Sequence, residues 1–243
     1  VVDKPAGVAV HPAGRRVYGT LIHFLHCRYR RADAHDVVPR LLHRLDRETS
    51  GVVAAGLDED FHAEVGRLFE SRAVEKRYFA VVHGSPPATE GTIDLAIGPA
   101  RRSEVRLKME ARDDGTGLPA RTDYRVMRRH GRYSLVELVP HTGRTHQLRV
   151  HMAAVGCPLV GDKLYGVPDD VFLNYVAGCL TPAQREALIL DRHALHASRL
   201  ELFHPRLGRK MVFEAPLPDD MARLVGLPGG RAHDARAERV EPA

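Results

Sequence analysis

Leu41-Leu42-His43-Arg44-Leu45-Asp46-Arg47-Glu48-Thr49-Ser50-Gly51-Val52-Val53-Ala54-Ala55-Gly56 sets a knot of charge between two apolar runs. Charged side chains in such a place are costly to bury, so the knot belongs on a loop at the rim of a sheet. Loops held by rigid strands are where function concentrates. A plain surface turn closed by an Arg–Asp pair fits the same residues. The second apolar run, Gly51–Gly56, reads as a buried strand.

Outward from the knot, the pattern alternates strands with short helices. Asp58 to Arg72 predicts a helix, because Phe61, Val65, Leu68 and Phe69 share one face and Asp58, Glu59 and Asp60 sit at its positive end. Lys76–His83 reads as a strand with Tyr78, Ala80 and Val82 on one side. Val105–Glu110 alternates apolar and charged residues, which predicts a half-exposed strand. Thr122–Met127 and Tyr133–Val139 pair around Arg129-His130-Gly131, and Ala197–Phe203 pairs with Lys210–Ala215. Arg144–Val155 carries a helical stripe with Thr142 as its cap. Thr181-Pro182-Ala183-Gln184 spells a capping box. Thr20–His26 and Asp219–Leu227 complete the helices. Strands outnumber helices and neighbours can form hairpins, so the expected fold is α+β with a mainly antiparallel sheet. Residues 1–228 read as one catalytic domain and 229–243 as a frayed, disordered tail, since the latter offer no apolar face.

Composition narrows the class. The chain has 243 residues, 44% hydrophobic and 28% charged, which excludes a collagen-like, wholly disordered or disulfide-stapled protein. No apolar run approaches the ~18 residues of a membrane span. Val1-Val2-Asp3-Lys4-Pro5 lacks the plan of a secretory signal, and without an initiator Met the chain is expected to start partway into a strand. A cytoplasmic protein follows as the expectation. Cys27, Cys157 and Cys179 are far apart and read as reduced, packed thiols. The net charge of +5 is matched by one segment: Arg101 to Arg132 holds ten basic and five acidic residues. Such a focus suits a phosphate backbone, and equally a solvated hairpin.

Several chemistries are excluded. His141, His146 and His151 recur every five residues, which on a helix turns each ring about 140° from the last, so they form no metal face. The zincin, deaminase and phosphate-loop patterns are absent. His43-Arg44-Leu45-Asp46 carries one residue too many for a kinase catalytic loop. No metal or cofactor is expected.

Separated stretches, in order along the chain, carry a resemblance. His43–Gly51 resembles the signature of RluA-type pseudouridine synthases, which isomerise uridine in RNA to its C-glycoside. Val2–Gly7 with His11-Pro12 resembles the family's opening turn, and Lys76–Gly84 its tyrosine strand. Gly143-Arg144-Thr145-His146-Gln147-Leu148-Arg149-Val150-His151-Met152 resembles its arginine helix. Gly161–Gly166, then Leu195–Ala197 with His204-Pro205, resemble later landmarks. The resemblance implies a mixed, mainly antiparallel sheet with a central catalytic cleft and flanking helices, and a base flipped out of the RNA. It puts Asp46 on the catalytic aspartate, Tyr78 on the tyrosine that stacks on the base and Arg144 on the arginine that pairs with the aspartate. Arg44 falls on the residue that fills the gap in the RNA stack, and Leu195 on an apolar wall of the pocket. Some members carry an S4-type RNA-binding module, and none is visible in this sequence.

The residue types suit those roles. A desolvated Asp tends to be neutral unless a bidentate Arg restores its charge. An aromatic ring offers a base roughly 1–3 kcal/mol of stacking. A planar guanidinium in the vacated space offsets part of the cost of extruding a nucleotide. Arg149 and His151 are assigned no role. Asp46 attacks the ribose or the base, or takes a ribose proton; the sequence leaves all three open. Arg102, Arg106, Lys108, Arg125 and Arg129 are the candidate contacts to the RNA backbone. The expected partner is RNA, ribosomal before transfer RNA, with a monomer and no obligatory protein partner. The alternative is a catalytically silent RNA-binding or RNA-chaperone protein.

Overall fold

β-branched and apolar residues in alternation build the centre of the molecule. In β5 (Glu75–His83), Tyr78, Ala80 and Val82 face one core cluster while Phe79 and Val81 face another, as a period of two requires. The structure, a computed structural model, describes residues 1–12, 18–29 and 37–228. The expected tail from residue 229 lies outside the described residues.

The strands preceding β5 are β1 (Val2–Lys4), β2 (Arg40–Leu41), β3 (Ser50–Val53) and β4 (Ala55–Gly56). Those following are β6 (Glu90–Asp94), β7 (Ala96–Pro99), β8 (Met109–Arg112), β9 (Arg121–His130), β10 (Tyr133–Pro140), β11 (Leu195–His204) and β12 (Arg209–Glu214). The main sheet runs β1-β3-β11-β5-β10-β9-β6, with β12 beside β11. Every pairing in it is antiparallel except β3 with β11. That parallel contact sets Gly51 opposite Ala197. Gly51 has φ +109°, and a Cβ there would lie 2.2 Å from the Ala197 carbonyl oxygen. Only glycine fits. The charged loop is thereby seated against the centre of the sheet.

Among the described residues six helices flank the sheet: α1 (Leu21–Tyr29), α2 (Glu59–Glu70), α3 (Gln147–Ala154), α4 (Asp169–Ala177), α5 (Pro182–Leu188) and α6 (Asp219–Leu224). The Asp58 side chain caps α2 by accepting from Phe61 N, and the Thr181–Gln184 capping box opens α5. This is the mixed, mainly antiparallel α+β architecture that the sequence implies.

Two local expectations are corrected. Val105–Glu110 is not a strand. Asp169 accepts from Ser103 Oγ (2.5 Å), Glu104 N (3.1 Å) and Lys108 Nζ (2.6 Å), folding the segment into turns, and β8 begins at Met109. The arginine helix begins at Gln147, not Arg144, because His146 is left-handed (φ 56°). Thr142 does not cap it. Its hydroxyl donates to Gln147 Oε1 (2.7 Å), which also accepts from Arg144 N (3.0 Å).

Candidate active site

The loop joining β2 to β3 is fixed from below before any of its charges act. Lys4, fully buried at the end of β1, donates through Nζ to the carbonyls of Pro5, Val8 and Arg47, and Gly7 N donates to the same Arg47 carbonyl. Thr49 N donates to Asp46 O (3.1 Å) and closes the turn. On its far side Glu48 accepts from Lys163 Nζ at 2.9 and 3.0 Å and from Tyr175 OH at 2.9 Å. Burial pushes the Glu48 carboxyl up, but the Lys163 ammonium, His193 and the Tyr175 hydroxyl together hold Glu48 below its ordinary value.

Asp46 projects from this loop toward α3. Its Oδ2 accepts from Arg149 Nη1 at 3.1 Å. The same guanidinium forks onto Asp162, Nε to Oδ2 at 2.7 Å and Nη2 to Oδ1 at 2.8 Å. Asp162 is wholly buried and also accepts from Leu164 N (2.9 Å) and Tyr165 N (3.2 Å). A buried carboxylate so fully satisfied aims the guanidinium and leaves one edge for Asp46. Burial raises the Asp46 carboxyl, yet the Arg149 charge, followed by His146 and His193, brings it net below its ordinary value. Asp46 is therefore ionised at neutral pH. Asp162 is held at about 2 against the push of burial, chiefly by Arg149.

Above Asp46 is a cavity of about 190 Å³, walled by His43, Lys76, Tyr78, Arg144 and Leu195 among others. A single water needs only about 10–15 Å³ of such room for its centre, so the cavity admits a group of many atoms, such as one six-membered ring. Tyr78 comes from the centre of β5 and Leu195 from the start of β11; both are buried. Burial, then the Asp46 charge, raises the Tyr78 hydroxyl, which stays neutral. His146 also faces the cavity, with Nδ1 2.9 Å from Tyr165 OH, and burial takes it down to about 4.

Asp46, Tyr78, Leu195, Arg44 and Arg144 thus meet at one cavity. The expected Asp46–Arg144 pair is replaced by Asp46–Arg149. Because α3 starts at Gln147, Arg144 stays on the preceding turn at the cavity's rim, where Nε donates to Pro119 O (3.1 Å). Arg149, the third residue of the helix, points into the buried side.

A model of the RNA pseudouridylate synthase family matches residues 1–154. The chain belongs to that family. An uncharacterized RNA pseudouridine synthase of Chloroflexus aurantiacus is 42% identical over 220 residues, 90% of this chain and 63% of that protein. Ribosomal large subunit pseudouridine synthase D of Nitrosomonas europaea is 37% identical over 230 residues, 93% of this chain and 61% of that protein. The chain spans about three fifths of the length of these two relatives. Among solved structures, human RNA pseudouridylate synthase domain containing 4 superposes with a TM-score of 0.70 at 29% identity, covering 94% of this chain and 90% of that one.

Within this pseudouridylate synthase fold, the residues sequence reasoning left without a role are Arg149, Asp162 and Lys163. A signal for the first two exists: Asp162 follows the apolar run Cys157–Gly161, and Arg149 sits between Leu148 and Val150. Each is a charge in an apolar context that requires a partner of opposite sign. The five candidate backbone contacts do not share one environment. Lys108 is paired with Asp169 at 2.6 Å and Arg125 with Glu90 at 3.3 Å, while Arg129 Nε donates to Ser85 Oγ at 2.8 Å. Arg102 and Arg106 are exposed and make no ion pair among the described residues.

Proposed function

We propose that the chain isomerises uridine to pseudouridine in RNA, with Asp46 as the essential carboxylate. The observation that supports this most is an ionised Asp46, aimed by the Arg149–Asp162 pair, on the floor of a cavity faced by Tyr78 and Leu195. The reaction breaks the bond from ribose to ring nitrogen and forms one to ring carbon. The carbon's proton leaves and the nitrogen gains one, so no electron acceptor is required. A carboxylate kept charged in a low-dielectric site can attack or take a proton without first being deprotonated. Tyr78 supplies the stacking surface and Leu195 an apolar wall that retains the detached ring.

Reaching that cavity requires extrusion of the nucleotide. Arg44 is exposed at the cavity's mouth, where its plane can take the vacated position in the stack. Arg144, at the rim, is assigned to the RNA as well. Of the basic segment, Arg102 and Arg106 keep charges free for phosphates, whereas Lys108, Arg125 and Arg129 must first release protein partners. Large-subunit ribosomal RNA is the favoured substrate, supported by relatives that carry that name, and action in the cytoplasm follows from it.

Asp46→Asn tests the assignment, since it keeps shape and removes charge. Pseudouridine formation on unmodified large-subunit ribosomal RNA should fall below detection while RNA binding persists. Full activity in that variant would sink the reading. Binding by the wild-type chain with no pseudouridine in ribosomal or transfer RNA would favour a silent RNA-binding protein instead.

A further inference from the structure

Lys76 is a cationic wall of the base cavity that the proposed chemistry leaves unused. It stands on β5 two residues before Tyr78 and is half-buried, so its ammonium is partly stripped of water. Among the described residues it has no carboxylate within ion-pair distance; its neighbour Glu75 is taken by Arg77 at 2.6 Å. Its Nζ lies 6.0 Å from the centroid of the Phe69 ring. A half-buried cation with no counterion costs free energy that an incoming anion recovers.

The surroundings suit an anion. His43 stacks on the same Phe69 ring at 5.3 Å. Its Nε2 accepts from Ala54 N at 3.0 Å, so its proton sits on Nδ1, a buried donor with no acceptor among the described residues. The neutral His43 ring therefore adds no negative charge beside Lys76. Lys76 and Arg144 also line a second, open groove of about 730 Å³, whose other walls include Arg72, Pro140, Glu70 and Glu75, the last held by Arg77. The two cations flank the junction between a space that fits one base and a space that fits a continuing strand.

We infer that Lys76, with Arg144 opposite, forms a phosphate clamp for the RNA linkage next to the flipped nucleotide, and that the groove beyond it carries the adjoining strand. The inference rests on the proposed RNA-modifying function and deepens it. The ligand is a phosphodiester, bound through charge and independent of base identity.

The test couples one protein charge to one phosphate. Affinity is measured for a hairpin RNA with a single loop uridine, and for two versions carrying a neutral methylphosphonate on one or the other side of that uridine. The wild-type chain should lose roughly tenfold on one of the two. Lys76→Gln should bind the unmodified hairpin roughly tenfold more weakly, with a salt slope smaller by about 0.7, and should be indifferent to that methylphosphonate. Lys76→Arg should restore the sensitivity. Equal methylphosphonate penalties in wild type and Lys76→Gln, or none in wild type, overturn the clamp. Pseudouridine formation on ribosomal RNA is measured in parallel. Activity with no coupling overturns the clamp alone; coupling with no activity overturns the catalytic reading and leaves the clamp standing.

Discussion

Arg149 holds two carboxylates at once, and its removal would strand both. Asp162 is wholly buried and Asp46 about three-quarters so, with side-chain exposures of 0% and 26%. Arg149→Met should therefore destabilise the chain by about 3–5 kcal/mol, the cost of leaving a buried charge without its partner, and should abolish activity. Arg149→Lys keeps the charge but replaces a planar fork with a point donor that cannot serve both carboxylates. Its stability loss should be smaller and its activity still low, as urea midpoints and a pseudouridine assay would report. Arg144→Gln should barely move the midpoint, because that side chain donates only to a carbonyl at the rim. Asp46, Tyr78 and Leu195, which the resemblance singled out, line one cavity because each stands in or beside a strand of the sheet. The same resemblance pointed to the wrong arginine as Asp46's partner, since the choice between positions 144 and 149 depends on a left-handed His146 and on Asp162. Neither is visible in local periodicity.

Elements that terminate themselves were read correctly. Asp58 and Thr181 announce α2 and α5 because a cap is a local interaction. The alternating stretch from Val105 failed for the opposite reason: a carboxylate more than sixty residues away captures it. The parallel contact of β3 with β11 is equally non-local, and one glycine decides it. Gly51→Ala would drive a methyl into the Ala197 carbonyl at a φ that side chains avoid. It should destabilise by more than about 4 kcal/mol, the range reserved for steric and strain failures, or prevent accumulation of folded protein. Gly143, at the cavity mouth, has nothing within 4 Å of a built Cβ, so Gly143→Ala should fold with an unchanged midpoint. Circular dichroism melts of the pair separate a backbone requirement from mere proximity to the site. A melting temperature for Gly51→Ala equal to wild type would mean that β3 can shift against β11.

Across the whole molecule, charge is arranged less by region than by partner. The basic excess of the segment from Arg101 to Arg132 looks like one surface in sequence, but Arg101 pairs with Asp114, Lys108 with Asp169 and Arg125 with Glu90. What is concentrated instead is buried titratable machinery beneath the loop. His43, His146 and His193 are each taken by burial from 6.5 down to about 4. In the unfolded chain these rings bind protons as pH falls through 6.5, whereas in the fold they resist until about 4. The unfolded state thus takes up more protons in that window, so stability must drop across it. One such histidine is worth on the order of 3 kcal/mol. The carboxylates of Asp46, Glu48 and Asp162 act in a lower window. Held below their ordinary values of 3.8, 4.5 and 3.8, they contribute stability that fades as pH falls through 4.5 for Glu48 and 3.8 for the two aspartates. Acid unfolding should therefore begin near pH 6.5, well above the range of carboxylate protonation. Urea midpoints taken from pH 7.5 down to 4.5 would show the decline, with an unchanged dependence on denaturant if the transition stays two-state. His43→Gln retains an acceptor for Ala54 N and removes one titrating ring, so its decline should be shallower than that of wild type. A midpoint flat to pH 4.5 in the wild-type chain would mean that these rings titrate in the fold as they do in the unfolded chain, and the neutral His43 beside Lys76 would fall with them.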